Sequence, residues 1–361
     1  MQTRLKSGLA GLAFLGLLGC SDSAPIAEEN LAPRLSQIAF GSCAVQTLPQ
    51  TFWSVVSSEN PDLFIFGGDN VYGDLAYIDG EPTIGKGDPT LLSAAYEALD
   101  SNADFSTFRK QVKILPVWDD HDYGENDAGA SYINKADSEA QFLDFWKIGA
   151  EDPRRSRPGI YTSSIHGPVG ERVQIIMLDT RYFRSDLVKN AGGAPEVQHL
   201  NIPSNDPSTT LLGDAQWTWL AEELKKEADV RLIVSSIQVH AEGHGYERWG
   251  NFPHERSRLY DLIAESRANG VIFLSGDRHS GALYAKRSED HYPLFEMTSS
   301  SLNRPFPNPD ETGPYQLGSL FGEENYATIS FDWEKRAVVL EVKDMDGQAV
   351  RTAGLEIDEL R

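Results

Sequence analysis

The stretch LFIFGGDNVYGD, residues 63–74, joins four apolar residues to a glycine pair and then to a cluster of polar side chains. A short apolar run bounded by glycine is typical of a buried strand in a parallel sheet. Asp69 and Tyr72 then follow the carboxyl end of that strand, which is the edge where ligands bind in open α/β sheets. Both side chains offer oxygen donors that suit a multivalent cation. Because Gly, Asp and Asn are also common in tight turns, this stretch alone supports a turn and a ligand pair equally.

The composition is that of a globular protein with a large core. The 361 residues are 40% hydrophobic and 24% charged, and this length is compatible with one domain or two. The formal net charge is -22 and no basic stripe is present, which disfavours nucleic-acid binding. An acidic surface also repels phosphate esters at long range, so an anion site here needs local positive charge, which bound metal ions supply. We expect a monomer.

The N-terminus has the pattern of an export signal. Arg4 and Lys6 precede an apolar run, residues 9–18, that is too short to span a bilayer. The sequence LLGC, residues 17–20, resembles a bacterial lipoprotein signal box, in which Cys20 would be lipidated. A plain cleaved signal and an uncleaved anchor are the alternatives. The protein is therefore expected at the periplasmic face of a membrane, with the outer membrane favoured, or at the cell surface.

This interpretation sets the expected domain boundaries and the state of the second cysteine. Residues 1–19 form the signal peptide, 20–35 a tether, 36–345 the folded domain and 346–361 a C-terminal tail. Cys20 and Cys43 are the two cysteines of the chain, so a lipidated Cys20 leaves Cys43 without a disulfide partner. Cys43 is then either a small buried hydrophobe or a metal-bound thiolate.

Four further apolar strands also end in polar clusters. These ends carry Cys43, Asp120 with His121, Asp179 with Arg181, and Asp277 with His279. The second end lies within DDHDYGEND, residues 119–127, where the density of negative charge would be repulsive without a cation. One such end is weak evidence, but five of one kind indicate a site. The mixture of oxygen donors with a thiolate and an imidazole favours a multi-metal hydrolytic site containing iron or zinc.

Several residues around these ends are candidate substrate contacts. Arg181 can hold a phosphate in a bidentate fork, but Asp179 and Arg181 can equally neutralise each other. His240 and Trp249 belong to an aromatic-rich loop that is suited to an apolar part of a substrate, although loop histidines are usually just solvated. Residues 185–212 have little periodicity and are expected to form a long loop beside the site.

Five motifs carry a family resemblance. They are GSC (41–43), GDNVY (68–72), WDDHD (118–122) with Asn126, LDTR (178–181) and SGDRH (275–279). In this order they resemble the alkaline phosphatase D, or PhoD-like, family of the calcineurin-like metallophosphatase superfamily, over residues 36–345. The resemblance implies an α/β fold, a four-layer αββα sandwich with metals at the carboxyl ends of the strands.

The resemblance also implies a metal centre and a reaction. Cys43, Asp69, Tyr72 and Asp277 would surround Fe³⁺. Asp69 would bridge it to a second ion, Ca²⁺ in some relatives with Zn²⁺ or Mn²⁺ as alternatives, that draws on Asp120 and Asn126 with His279 close by. The superfamily's Asp-x-His and Gly-His-x-His motifs are absent, which puts a standard dizinc or dimanganese site in doubt.

The expected chemistry is attack of metal-activated hydroxide on a phosphate ester, with His121 as general acid and Arg181 as phosphate clamp. The alternatives are a phosphodiesterase or phospholipase D-type activity and a non-catalytic metal-binding surface lipoprotein.

Overall fold

The structure is a computed structural model that describes residues 33–78, 81–192, 200–288, 291–309 and 311–361. The predicted signal peptide, Cys20 and most of the predicted tether lie outside the described residues. In the part of the chain that is described, no helix is both long and apolar enough to cross a membrane.

Two six-stranded sheets form the centre of the fold. In order across the first sheet, the strands are β16 (Ala349–Glu356), β15 (Ala337–Asp344), β14 (Asn325–Asp332), β1 (Gln37–Gly41), β2 (Leu63–Gly67) and β5 (Lys113–Val117). Strands β1, β2 and β5 are parallel, and β14 pairs with β1 in the antiparallel sense. The three parallel strands therefore bring their carboxyl ends to one edge.

The second sheet repeats this arrangement. Its strands, in order, are β12 (Gly281–Lys286), β13 (Leu294–Ser299), β11 (Val271–Ser275), β10 (Val230–Ser235), β7 (Val173–Met177) and β6 (Thr162–His166). The four inner strands are parallel, while β12 and β6 are antiparallel at the two edges. Two-stranded ribbons are formed by β3 (Leu75–Ile78) with β4 (Glu81–Ile84) and by β8 (Val188–Lys189) with β9 (Asn201–Ile202).

Helices cover the outer faces of both sheets, and one short helix lies at the carboxyl end of β5. They are α1 (Phe52–Ser58), α2 (Pro89–Ser101), α3 (Ala103–Gln111), α4 (Asp120–Tyr123), α5 (Lys135–Phe145), α6 (Gly213–Glu223) and α7 (Pro253–Ser266). Short 3-10 helices lie at Pro153–Arg155, Trp249–Asn251 and Ile357–Glu359. Together with the sheets, the helices give the predicted layered α/β architecture.

The side chains of each central strand point alternately to the two faces of its sheet, and both faces are buried. In β2, Phe64 and Phe66 pack on the indole of Trp53 in α1, with ring centroids 5.6 and 5.7 Å apart. In the second sheet, Ile176 and Ile233 pack with the apolar faces of α6 and α7, whereas neighbouring strand residues join a core shared with the first sheet. Successive side chains of a strand point to opposite faces, so strands buried on both faces become continuous apolar runs.

Two sequence-based expectations about elements need correction. The helical spacing of apolar residues over 91–111 predicts one helix, but these residues belong to α2 and α3, which are separated at Asn102. The Asn102 Oδ1 atom accepts hydrogen bonds from the backbone N–H groups of Asp104 and Phe105 and so caps α3. Residues 346–361 were assigned to a tail, but β16 pairs with β15 at the edge of the first sheet. An edge strand with one exposed face has too few apolar residues to be recognised from its sequence.

Candidate metal centre

The carboxyl ends of the inner strands of both sheets meet at one edge. The Cys43 N–H donates to the Gly68 carbonyl at 3.3 Å, which ties the end of β1 to the end of β2. The Gly276 N–H donates to the Ser236 carbonyl at 2.8 Å, which ties the ends of β11 and β10 in the same way. The Ser236 hydroxyl then donates to Asp119 Oδ1 at 2.6 Å and connects the two sheets. Residues far apart in sequence therefore line one site.

Four predicted metal ligands have left-handed backbone conformations. The φ angles are 61° at Cys43, 48° at Asp69, 67° at Asp277 and 52° at His279. Such angles are uncommon for residues other than glycine, and where they cluster they mark functional sites that the surrounding fold holds in place. At Gly68, φ is 108° and a Cβ atom would lie 2.6 Å from Asp119 Cβ, so this close approach requires glycine.

Three different donor types converge on the carboxylate of Asp69. Its Oδ2 atom lies 3.4 Å from the sulfur of Cys43 and 3.3 Å from the hydroxyl of Tyr72. The Tyr72 hydroxyl is also 3.1 Å from His279 Nε2. A thiol, a carboxylate, a phenol and an imidazole in direct contact form a donor set that suits a transition metal.

Further carboxylates extend this group towards the pocket. Ligand atoms lie within 4.8 Å of one another in four sets: Cys43 with Asp69 and His279, Asp69 with Asp120 and His121, Asp119 with Asp120 and Asp277, and Asp120 with Asp127 and Glu247. Asp69 and Asp120 belong to more than one set, so they are the residues best placed to be shared between ions. Asn126 also lines the pocket and is exposed there.

The electrostatics of the donors fit bound cations. Burial raises the pKa of Asp69 and Asp277 well above the usual value of a carboxyl group, and nearby carboxylates add to the effect. Burial likewise raises the pKa of the Cys43 thiol and the Tyr72 phenol, and the charge on Asp69 raises both further. So many buried acidic groups are stable as anions only beside positive charge, which metal ions provide. The residues present therefore fit a metal centre.

His121 is held by a carboxylate at the side of this group. Its Nδ1 atom lies 2.8 Å from Asp74 Oδ1, and its ring stacks on the Tyr72 ring with centroids 4.1 Å apart. Burial alone would lower the pKa of His121, but the carboxylates of Asp120, Asp69 and Asp74 outweigh burial and raise it well above the usual value. The contact with Asp74 leaves Nε2 as the ring nitrogen available to a ligand.

A pocket of about 380 Å³ opens onto these side chains. It is lined by Asp69, Asp120, His121, Asn126, Asp127, Lys189, Asn201, Tyr246, Glu247, Asp277, Arg278, His279 and Phe306. Lys189 and Asn201 come from the ribbon β8–β9, so the segment expected to form a loop beside the site does supply part of its wall.

Arg181 does not lie where a phosphate clamp would have to be. Its side chain is fully buried, its Nε donates to Asp119 Oδ1 at 2.6 Å, and its Nη1 lies 2.5 Å from Glu247 Oε2. Arg184 pairs with the other oxygen of Glu247 at 2.8 Å and is buried as well. The expected clamp role is corrected on this geometry: Arg181 supports the floor of the pocket and is already matched by two carboxylates.

This arrangement predicts a stability effect for Arg181→Met. The substitution leaves Asp119 buried without its cationic partner and Glu247 with Arg184 alone, so we expect the free energy of unfolding to fall by about 3–5 kcal/mol. Urea unfolding measures this, with Arg34→Met as the control. Arg34 is about half exposed and pairs with Glu171 at 3.3 Å, so its loss should cost less than about 1 kcal/mol. An unchanged free energy of unfolding together with a raised KM would instead support the predicted role of Arg181 as a phosphate clamp.

Three other predicted substrate contacts also lie in the protein interior. The Asp179 carboxylate accepts hydrogen bonds from the Trp118 indole at 3.0 Å and the Ile160 N–H at 2.9 Å. His240 is fully buried, and its Nδ1 lies 2.8 Å from the Tyr260 hydroxyl. The Trp249 indole donates to Ser235 Oγ at 2.9 Å. None of the three lines the pocket, so these expectations are corrected.

Sequence reasoning missed several side chains at the site. The sequence leaves Asp74 either as a turn residue or as a group that supports the ligands from outside, and its contact with His121 at 2.8 Å favours the second interpretation. Glu247 and Arg278 carried no signal of their own, because each depends on contacts between distant segments. Asp127 was recognised only as part of an acidic cluster, but its Oδ2 pairs with Lys189 at 2.7 Å on the pocket wall.

Comparison with known proteins gives the family. The profile of the PhoD-like phosphatases matches residues 38–339, which is most of the chain and includes all five motifs. The chain belongs to the PhoD-like phosphatase family. Alkaline phosphatase D of Bacillus subtilis (strain 168) is 26% identical over 322 residues, covering 80% of this chain and 52% of that protein. The chain therefore spans about half the length of this curated relative.

Solved structures support the fold of this PhoD-like chain. A structure of PhoD covers 90% of this chain and 69% of its own, with a TM-score of 0.69 and 17% sequence identity. Purple acid phosphatase PPD1 from yellow lupin (Lupinus luteus) seeds covers 90% of this chain and 54% of its own, with a TM-score of 0.55 and 11% identity. At these identities the similarity establishes the metallophosphatase-like fold and nothing finer.

Proposed function

We propose that the protein is a metal-dependent hydrolase of phosphate esters. The observation that carries this proposal is the convergence of Cys43, Asp69, Tyr72, Asp120 and Asp277 at the carboxyl edge of two sheets, beside an open pocket. Membership of the PhoD-like phosphatase family supports the same reaction class. Buried clusters of acidic groups without a catalytic or binding purpose are costly, so a purely structural role for this edge is disfavoured.

The donor set suggests which ions the protein takes. We propose that Cys43, Asp69, Tyr72 and Asp277 hold Fe³⁺, because a thiolate and a phenolate favour a transition metal over a hard divalent ion. Asp120 and Asn126, with Asp69 shared, would hold a second divalent ion, for which Ca²⁺ is our choice, and His279 lies close to it. When bound, these ions would activate a water molecule and neutralise charge that develops on the phosphate.

The chain's own residues complete the proposed chemistry. His121 would hold a proton on Nε2 and transfer it to the leaving-group oxygen, which is the role of a general acid. Asp74 would fix the ring so that Nε2 rather than Nδ1 is presented, because Nδ1 lies 2.8 Å from its carboxylate. Arg181 would act from below the pocket by keeping Asp119 and Glu247 in place.

Comparison of a phosphomonoester with the matching diester tests this function. The purified protein, loaded with iron and calcium, is assayed on 4-nitrophenyl phosphate and on bis(4-nitrophenyl) phosphate. Hydrolysis of either compound that disappears on chelation supports the proposal. No hydrolysis of either by the fully loaded protein would exclude it and would favour a non-catalytic metal-binding protein.

A phosphodiesterase or phospholipase D-type activity is the second candidate. Tyr246 and Phe306 line the pocket and are 37% and 44% exposed. Exposed aromatic rings at the mouth of a pocket can contact an apolar group on the second ester bond of a diester. A higher kcat/KM for the diester than for the monoester would favour this candidate, and the reverse order would favour a monoesterase.

Tyr72 gives a spectroscopic test of the iron site. If the Tyr72 phenolate binds Fe³⁺, the purified protein absorbs visible light by charge transfer, and Tyr72→Phe removes this band. Tyr96→Phe is the matched control, because Tyr96 is also a buried tyrosine but lies on α2 away from the donor group. Iron analysis must accompany the spectra, since a colourless wild-type protein with a full iron content would contradict the assignment.

A further inference from the structure

Arg278 is a buried cation in the wall of the pocket. Among the described residues that line the pocket, Lys189 and Arg278 are the cationic side chains apart from the histidines. The Lys189 side chain is about half exposed and pairs with Asp127, whereas that of Arg278 is only 7% exposed. A guanidinium with so little access to water depends on the groups around it more than a surface charge does.

Two neighbours orient this guanidinium. Its Cζ atom lies 4.3 Å from the centroid of the Tyr246 ring, which is a cation–π contact. Its Nη2 atom donates to the carboxylate of Glu311. Its Nε atom is buried and has no hydrogen-bond partner in the described parts of the chain. Arg278 is therefore fixed in direction but still has an unused donor, which in a buried pocket wall indicates a ligand.

The segment that carries Glu311 is held by contacts independent of this ion pair. The Phe306 N–H donates to the His279 carbonyl at 2.8 Å, which attaches the preceding residues to the end of β11. On the other side, Thr312 packs directly on Gly243, where an added Cβ atom would come within 2.1 Å of the Thr312 carbonyl oxygen. The carboxylate of Glu311 can thus be removed or displaced without losing what positions its backbone.

Arg278 needs a counterion before the substrate binds, because the other carboxylates of the pocket are possible metal ligands. The pocket is lined by five carboxylates: Asp69, Asp120, Asp127, Glu247 and Asp277. All five belong to the possible metal donor sets, so bound ions would neutralise much of their charge in the loaded protein. Glu311 meets Arg278 through a single bond from Nη2, whereas a phosphoryl group offers two oxygens to the planar fork of a guanidinium. A phosphoryl group that also engages the unpartnered Nε would therefore hold Arg278 by two hydrogen bonds, where Glu311 holds it by one.

We propose that Arg278 binds the phosphoryl oxygens of the substrate and that Glu311 is the counterion which the phosphate displaces. This inference rests on the proposed phosphoesterase function and deepens it, because it assigns the phosphate contact that Arg181 does not provide. Tyr246 acts as a positioning residue that keeps the guanidinium directed into the pocket. Affinity for phosphate then depends on competition between Glu311 and the ligand for the same side chain.

Binding of inorganic phosphate to the metal-loaded full chain tests this inference by titration calorimetry. Because a hydrogen bond to a charged group contributes about 1.5–3 kcal/mol, Arg278→Met should raise the Kd for phosphate roughly 10- to 150-fold. Arg278→Lys should lie between this variant and the wild type, since it keeps the charge but not the fork. Glu311→Gln should lower the Kd, by roughly three- to tenfold. In turnover assays the same variants should change KM in the same direction, with a smaller effect on kcat.

Arg258→Met is the matched control. Arg258 also lies over an aromatic ring, with its Cζ 4.4 Å from the centroid of Trp217, and also pairs with a glutamate, Glu255 at 3.5 Å, but it is on α7 outside the pocket. Its replacement should leave the Kd for phosphate unchanged. Circular dichroism and metal analysis verify that each variant is folded and loaded with metal. If Arg278→Met fails either check, the Kd values of Arg278→Lys and Glu311→Gln test the inference in its place.

The outcomes separate this inference from the proposed function. An unchanged Kd in the Arg278 variants would overturn the inference, and so would a Glu311→Gln variant that loses affinity as Arg278→Met does, because the pair would then be structural. Absence of phosphate binding by the wild type would overturn it too. Phosphate binding through Arg278 without hydrolysis of any ester would leave this inference standing while the proposed function fails.

Discussion

Asp69→Asn is expected to lose both metal ions and to lower phosphate-ester hydrolysis by about three orders of magnitude or more. The reason is that Asp69 belongs to two donor sets, one with Cys43 and His279 and one with Asp120 and His121. An amide has one neutral oxygen, so it could not supply the negative charge and second oxygen that sharing of Asp69 between the two proposed ions would need. In the described part of the chain, Asp69 is the residue shared by the set that contains Cys43 and the set that contains His121.

The measurement is elemental analysis of the variant together with its kcat/KM on 4-nitrophenyl phosphate. Asp346→Asn is the control, because Asp346 is exposed on the turn between β15 and β16 and lies outside the pocket. The control should retain full metal content and full turnover. An Asp69→Asn variant with normal metal content and normal turnover would remove Asp69 from its central role.

His121→Ala is expected to lower kcat by about 10²- to 10⁴-fold while the metal content is retained, because a positioned proton donor contributes this much. The effect should depend on the leaving group. A 4-nitrophenolate leaves without much need of a proton, whereas an alkoxide requires one, so an alkyl phosphate should lose far more activity than 4-nitrophenyl phosphate does.

Asp74→Asn separates the positioning contribution from the proton transfer. Loss of an outer carboxylate partner typically costs about 10- to 100-fold, so this variant should lie between the wild type and His121→Ala. His166→Ala is a control on β6, where His166 contacts Ser164 away from the pocket. If His121→Ala instead loses metal ions, or loses the same factor on both substrates, His121 is a ligand rather than the general acid.

Much of the fold was predictable because its strands are short apolar runs bounded by glycine and polar residues. The run at residues 63–66 is buried on both faces, so it is apolar throughout and recognisable, and the same holds for β7, β10 and β11. Strand β6 and strand β16 lie at sheet edges, are only partly buried and were missed. The break at Asn102 was missed as well, because helical spacing continues on both sides of it.

The metal centre was predictable to the extent that it follows from strand ends. Parallel strands place their carboxyl ends at one edge, so Cys43, Asp69 and Asp277 could be brought together from the sequence without knowing any contact. Contacts between side chains were not predictable in this way. Arg181 and Asp179 follow a strand end as the ligands do, but their side chains turn into the interior.

Burial was the quantity that sequence reasoning could not supply. Trp249 and His240 lie in a polar, aromatic-rich segment that resembles a substrate-contacting loop, but both side chains belong to the core behind β10 and β11. Conversely, Arg278 lies between two predicted ligands and has no sequence signal that marks it as buried. The role proposed for it depends on its contacts with Tyr246 and Glu311, which no local sequence pattern connects to it.

Elemental analysis of the purified wild-type protein, coupled to a phosphomonoester and diester assay before and after chelation, tests the central claim most directly. We expect about one iron per chain together with a second divalent ion, loss of hydrolysis when both are removed, and its return when both are restored. Hydrolysis at an undiminished rate by protein that contains neither ion would contradict the account.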